Sequence, residues 1–292
     1  DVTTMVGKGI FYAPIMTSRG CPFRCAYCHI SLEKEQPGDF GDIGSYRMKS
    51  VDRVLAEIRT LKDLGVEKLY FEDDSLLAKK ARVKAIFERV VGSGLKIANV
   101  NGVNLVHFLV RNKVTGELEP DADYFELLKS AGFEHIVFPV ESGSQRILDK
   151  YATGKLNLKT MNLPKLVRAA RRVGITSPLN MMIGFPDQTE AEILESVDLA
   201  KRLIDAGAAY CAFFIPIPFP GSQLFHYAIA HGHLDPDFDP DIFSVYRVVM
   251  KDTTVSPERL VELREWAFQT VNPKGYVEAR IKRSTVSTIG LT

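Results

Sequence analysis

The chain has 292 residues, 46% of them hydrophobic and 25% charged, and its 37 basic and 36 acidic side chains leave a formal net charge of +1. This is ordinary globular material, enough for one large α/β domain or two small ones. It excludes the basic surplus of an electrostatic nucleic-acid binder, and no apolar run is long enough to cross a bilayer, so neither nucleic acid nor membrane is expected as a partner.

In chain order, strand-like runs fall at 13–18, 68–73, 96–101, 135–142, 178–185 and 209–218, rich in Val, Ile, Phe and Tyr and apolar on both faces, as buried parallel strands are. Between them, segments with helical period run from Val51 to Gly65, Ala78 to Gly94, Asp121 to Gly132, Leu158 to Gly174 and Thr189 to Gly207. Leu163-Pro164 interrupts the fourth, whose helix should begin near Pro164. A last helix is expected over Pro257–Val271, with Ser256 as its N-cap and with Trp266 and Phe268 packing on the flank. Strict strand–helix alternation predicts right-handed crossovers and a parallel sheet. The chemically unusual residues cluster at strand C-terminal ends, which a barrel gathers around one mouth. The expected fold is α/β, a partial (β/α)6 TIM-like barrel over 1–233, with a C-terminal helical extension over 234–292 packed on it. That extension includes a segment, 234–255, that either closes the barrel from below or lines the pocket.

Just after the first strand comes SRGCPFRCAYCHI, with Cys21, Cys25 and Cys28 inside eight positions. Cys211, the remaining cysteine, reads as a buried free thiol. A tetrahedral zinc site normally closes with four ligands in two pairs, and His29 is too close to Cys28 to complete one. Three closely spaced thiolates suit a 4Fe-4S cluster better, and they leave one iron uncapped.

With Tyr27 in the aromatic place, CPFRCAYC resembles the cluster motif of the radical S-adenosylmethionine (radical SAM) superfamily. The resemblance extends from about Ala13 to His233. It implies that the uncapped iron binds S-adenosylmethionine, whose reductive cleavage yields a 5′-deoxyadenosyl radical. EDDS, at the end of the second strand, stands where many members carry Gly-Gly-Glu to receive the methionine amino group. Glu72, Asp73 and Asp74 are the candidates, with Asp73 or Asp74 favoured and not separable. VESGSQRILDKY is similar to the family segment that meets ribose and methionine, which implicates Glu141 and Ser142; Ser144 can cap the following helix without a ligand. In NMMIGFPDQTEAEI, which is similar to the family's fifth-strand motif, backbone at Ile183-Gly184 is expected beside the adenine, while Asp187 and Thr189 read as helix-start signals.

These stretches look most like the branch whose members often carry an N-terminal cobalamin-binding domain, many of them methyltransferases. Only twenty residues precede Cys21, so such a domain was removed or this member works without it. The function expected is radical methylation of a small molecule with cobalamin. The alternatives are a cobalamin-independent radical SAM cyclase, rearrangement or sulfur-insertion enzyme, and a non-catalytic metal-binding module. The resemblance also implies flavodoxin or ferredoxin as electron donor and a reducing cytoplasm. Asn101, Asn104 and His107 are candidate substrate contacts, although a lone histidine is more often a satisfied structural group. His29 and Arg24 border the cysteines, and the loop 36–49 is a candidate lid.

Overall fold

The computed structural model describes residues 11–35, 43–99, 101–244 and 247–280. The outer ends of both expected units and the first part of the candidate lid, 36–42, lie outside the described residues.

Along the chain, β1 (Tyr12–Ile15) leads through the cysteine segment into α1 (His29–Glu35) and α2 (Val51–Asp63). Then follow β2 (Lys68–Phe71), α3 (Lys80–Phe87), β3 (Lys96–Asn99) and α4 (Ala122–Ser130). The fourth strand comes in two pieces, β4 (Phe133–Ile136) and β5 (Phe138–Glu141), before α5 (Gln145–Tyr151) and α6 (Leu163–Arg172). The last elements are β6 (Leu179–Met182), α7 (Glu190–Asp205), β7 (Cys211–Phe214), α8 (Gln223–Ala230) and α9 (Pro257–Val271).

All the pairings among these strands are parallel: β1 to β2, β2 to β3 and β3 to β4 in one sheet, β5 to β6 and β6 to β7 in the other. The break at Val137 separates the sheets only locally. Ile136 N–H donates to the Thr176 carbonyl (3.0 Å) and Phe138 N–H to that of Pro178 (2.8 Å), so the ladder carries on to the approach of β6. Strand positions therefore follow chain order without reversal. A doubly wound sheet reverses its order at a switch point; an arc in constant order is that of a β/α barrel. Between β7 and β1 no pairing occurs among the described residues, so the arc is open there.

Each helix covers the arc with one apolar stripe. In α6, Leu166, Val167, Ala169 and Ala170 are buried while Lys165, Arg168, Arg171 and Arg172 are exposed, and Asn162 caps it with Pro164 in the first turn. One helix is shorter than its pattern suggests. α3 stops at Phe87, after which Arg89, Val90 and Ser93 N–H groups each bond three residues back, tightening the chain while keeping Val90 buried. Rings of Phe71, Phe87 and Phe133, with centroids 4.9 to 6.2 Å apart, fill the interior beside β2 and β4.

The C-terminal helix forms over the expected residues with the expected Ser256 cap. Its Leu260, Leu263 and Ala267 are buried, and Asn272 closes the join to β7, accepting from Cys211 N–H (2.7 Å) and donating to its carbonyl (2.8 Å). Phe268 packs against the core, whereas Trp266 is partly exposed with Lys201 over its ring. In the 234–255 segment, Leu234 and Met250 pack with Tyr151, Phe185 and α8 in a satellite cluster that also takes in Ala26, so this segment backs the cysteine loop. Among the described residues no helix is long and apolar enough to cross a membrane.

Candidate active site

The cysteine loop is fixed by backbone bonds to two other parts of the chain, residues 151–153 and the start of α8. Arg24–Cys25 pair antiparallel with Ala152–Thr153, Ala26 N–H donates to the Tyr151 carbonyl (2.8 Å), and Leu224 N–H donates to the Ala26 carbonyl (2.8 Å). Within the loop, Ser31 Oγ donates to the Cys25 carbonyl (3.0 Å), and Lys34 Nζ donates to the carbonyls of Cys21 (2.7 Å) and Phe23. Cys21, Cys25 and Cys28 all line one cavity of about 360 Å³. Its walls come from successive strand ends: Asp74 after β2, Asn101 and Asn104 after β3, Glu141 closing β5, Asn180 and Met182 on β6, and Phe214 on β7. Burial raises the Cys25 thiol above its ordinary value and pushes Cys28 up to about 11. Cys211 is buried, as expected, at the start of β7 and away from this cavity.

The polar centre of the cavity is Glu141. It is 5% exposed, and its backbone sits at φ +69°, a left-handed conformation that costs a residue with a side chain about 1–2 kcal/mol. The register between β5 and β6 shifts at the same place. Tyr27 Oη donates to Glu141 Oε1 (2.8 Å), and Lys155 Nζ donates to the same oxygen and to Tyr27 Oη (3.3 Å). Burial pulls the Lys155 ammonium down, but the facing Glu141 and Cys25 outweigh it, so lysine titrates above its ordinary value. Burial, then Glu141, raises the Tyr27 phenol well above its own. Lys155 was not foreseen from sequence. It lies in the irregular YATGK stretch, and the only signal for it was that a buried carboxylate needs a cation.

The three acidic candidates after β2 separate. Asp73 is fully buried; it accepts from Thr17 N–H (3.1 Å to each oxygen), Thr17 Oγ1 (2.7 Å) and Ser18 Oγ (2.5 Å), which ties the end of β1 to the end of β2. It does not line the cavity. Asp74 does, with Oδ2 accepting from Gly20 N–H (2.8 Å). Glu72 is only partly buried, lies outside the lining, and uses its carbonyl to accept from Asn101 Nδ2 (2.9 Å).

Three further expected contacts are not brought to the cavity. Ser142 is fully buried against α7, its hydroxyl 3.2 Å from Ser196 Oγ. Ile183 is fully buried, its N–H donating to the Phe214 carbonyl (2.9 Å). Gly184 has φ +93°, and a Cβ there would lie 2.8 Å from Leu260 Cδ1. The missing side chain therefore makes room for Leu260 of α9. Asp187 is not a helix-start signal either: it accepts from Arg146 (2.7 Å), Lys150 (2.8 Å) and Tyr151 (2.6 Å) and so anchors α5, while Thr189 and Glu192 form the capping box. Ser144 caps α5, as expected. Asn104 lines the cavity with its Nδ2 buried and unpaired, and His107, beside the Phe23 ring, is half-buried with its Nε2 atom buried and unpaired rather than satisfied. Burial, with Lys80 nearby, lowers His107 to about 4. His29 lines the cavity from an exposed position, and Arg24 is exposed.

The sequence model of the radical SAM superfamily matches residues 15–200, which span the cysteines, Glu141 and Lys155. This chain belongs to that superfamily. Among its relatives, an uncharacterized methyltransferase of Pyrococcus horikoshii, PH0819, is 32% identical over 228 residues, covering 77% of this chain and 44% of the relative. The cytidylyl-2-hydroxyethylphosphonate methyltransferase of Streptomyces wedmorensis is 26% identical over 249 residues, or 83% and 41% of the two chains. This chain thus spans less than half the length of these curated relatives. The radical SAM methyltransferase TsrM of Kitasatospora setae, solved with cobalamin and a 4Fe-4S cluster, superposes with a TM-score of 0.57 at 17% identity, over 76% of this chain and 40% of its own. At that identity it is the fold that is shared.

A radical SAM chain is an enzyme, and membership implies a 4Fe-4S cluster and S-adenosylmethionine. The residues present fit both. Three thiols border one cavity, and among the described residues no three Cys, His, Asp or Glu side chains converge on a point that would hold a single ion. A four-iron cluster takes each sulfur on a different iron. Carboxylates beside the thiols offer acceptors for an ammonium.

Proposed function

We propose that this radical SAM enzyme methylates a small molecule, with cobalamin as a further cofactor, and takes its electrons from a flavodoxin or ferredoxin. Both curated relatives above are named methyltransferases, and TsrM was solved with cobalamin. The observation that carries the reading is the convergence of Cys21, Cys25, Cys28, Asp74 and Glu141 on one cavity at the strand C-terminal ends.

Cys21, Cys25 and Cys28 would hold a 4Fe-4S cluster, which would supply one-electron reduction of the S-adenosylmethionine sulfonium. Asp74, which lines the same cavity as the thiols, would accept the methionine ammonium in a charge-assisted bond. Tyr27 and Lys155 clamp one oxygen of Glu141, and Oε2, which has no partner among the described residues, would receive a hydroxyl or N–H of the cofactor. Phe23, Ile30, Met182 and Phe214 give that cavity apolar walls.

The test is anaerobic reconstitution of the chain and of its Cys25→Ala variant. The wild type should take up about four irons, develop iron–sulfur absorbance and, under dithionite, turn over S-adenosylmethionine; the variant should stay folded, iron-poor and inert. With cobalamin and substrate present, S-adenosylhomocysteine should form beside 5′-deoxyadenosine. Stoichiometric 5′-deoxyadenosine alone would replace methylation by a cobalamin-independent reaction. Wild-type iron content in Cys25→Ala, or one zinc and no turnover in the wild type, would remove the enzyme reading of this site.

A further inference from the structure

A second hollow, larger than the first, lies on the outside of the arc. It encloses about 800 Å³ between the hairpin of Leu109–Arg111 and Leu118–Pro120, the loop 157–162, and helices α6 and α7. Arg111, Lys159 and Lys165 line it, and Arg168 and Arg172 continue the same wall along α6. Residues 165, 168 and 172 are three and four apart, so they project from one face of that helix while Leu166, Val167 and Ala170 are buried on the other. Against these five cations stand two carboxylates, Glu117 and Glu119. Other exposed cations of the described residues are neutralised nearby, as Arg202 on the rim of the same hollow is by Asp198 (3.1 Å) and Arg259 by Glu190 (2.6 Å). Lys159, Lys165, Arg168 and Arg172 have no side-chain partner among the described residues. A concentration of unpaired positive charge on a chain of net charge +1 is a local field, of the kind that steers an acidic partner.

The wall of this hollow is also joined to the cysteine loop. Cys25 pairs with Ala152, the next residues lead to Lys155 inside the catalytic cavity, and Leu158 in the hollow is three residues further on. Three residues span at most about 11 Å.

We propose that the α6 face is the docking surface for an acidic one-electron carrier protein. The inference rests on the functional reading above, which requires an electron from outside. One electron leaves the carrier and enters the cluster; no covalent bond forms or breaks at the surface. The patch is about 15 Å long, the length of a ten-residue helix, which suits the small, polar contacts of transient redox encounters. No aromatic side chain lines it, so it lacks the stacking platforms by which single-stranded nucleic acid is held.

The experiment compares the anaerobically reconstituted chain with its Lys165→Glu/Arg168→Glu/Arg172→Glu variant, reduced either by an acidic flavodoxin hydroquinone or by titanium(III) citrate. Bleaching of the iron–sulfur absorbance is followed in stopped flow. The rate with flavodoxin should fall about tenfold or more in the variant, and in the wild type it should fall as salt rises from about 20 to about 300 mM. The titanium rate and the iron content should not differ between the two proteins. Equal flavodoxin rates, or equal slowing with both reductants, would overturn the assignment. So would a salt-independent wild-type rate, which needs no variant, and so would wild-type binding of bulk tRNA that the variant loses while flavodoxin reduction is unaffected. A wild type that holds no iron fails the functional reading instead. Binding of oxidised flavodoxin to the iron-free chain, read by quenching of flavin fluorescence, then still decides the surface: tight for wild type and lost in the variant if the face is the dock.

Discussion

The end of β2 and the end of β5 each bury a carboxylate, and the two have opposite fates. Asp73 is enclosed by donors of its own chain, four bonds from Thr17 and Ser18 that fasten β1 to β2. Among the described residues Glu141 is held on one oxygen only, by Tyr27 and Lys155, in a left-handed backbone conformation beside the thiols. A carboxylate saturated by neutral donors is part of the scaffold. One clamped against a single cation in a cavity, at a cost in backbone strain, is poised toward something else. Burial alone does not distinguish them; the distribution of donors over the two oxygens does.

The largest expected effect in stability tests this at Lys155. Lys155→Met should leave Glu141 buried without its cation and lower the unfolding free energy by about 3–5 kcal/mol. Urea denaturation of the iron-free chain reads it directly, and a loss below about 1 kcal/mol would mean that Glu141 does not depend on the pair. Asp73→Asn should come next. It replaces an acceptor-only group by one with two unwanted donors facing Thr17 and Ser18, which costs about 2–4 kcal/mol. Its iron content and S-adenosylmethionine affinity after reconstitution should match wild type. Weakened cofactor binding at unchanged stability would move Asp73 into the site and erase the contrast.

Glu141→Ala is expected to behave in the reverse sense. S-adenosylmethionine binding should weaken by about ten- to a hundredfold, which is about 1.4–2.8 kcal/mol, while iron uptake is retained. Equilibrium dialysis of the reconstituted protein measures it, and an unchanged dissociation constant would take Glu141 out of the site.

The outlines of this contrast were legible in the sequence, and its assignments were not. Strand periodicity placed all six positions of the arc, and the cysteine spacing placed the cluster loop, because both are local patterns imposed by backbone geometry. Asp73 and Asp74 could not be separated, since neighbouring residues point apart but nothing local says which way the pair faces. Lys155 escaped for a related reason: its partner, Glu141, is fourteen residues away and is reached through a loop with no period. The fourth strand's break at Val137 was equally invisible, because the ladder that bridges it runs through residues 176–178. Asp187 read as a helix start on spacing alone, while its bonds go across to α5.

Gly184 supplies the smallest effect and the sharpest separation of scaffold from site. Two contributions oppose a methyl group there: the left-handed φ of +93°, costing about 1–2 kcal/mol, and the 2.8 Å approach to Leu260 Cδ1. The second is a contact with the far end of a flexible side chain, so Leu260 can turn aside at the price of packing in α9. Gly184→Ala should therefore lose about 1–3 kcal/mol, and Leu260→Ala on the same background should restore only the contact component, giving a non-additive pair. The strain in φ remains in both proteins. Cofactor affinity, measured on the reconstituted variant, should stay at the wild-type value because the glycine faces a helix. A marked loss of S-adenosylmethionine binding without coupling to Leu260 would instead put the adenine against Gly184, and the division between the two strand ends would then need a third, mixed case at β6.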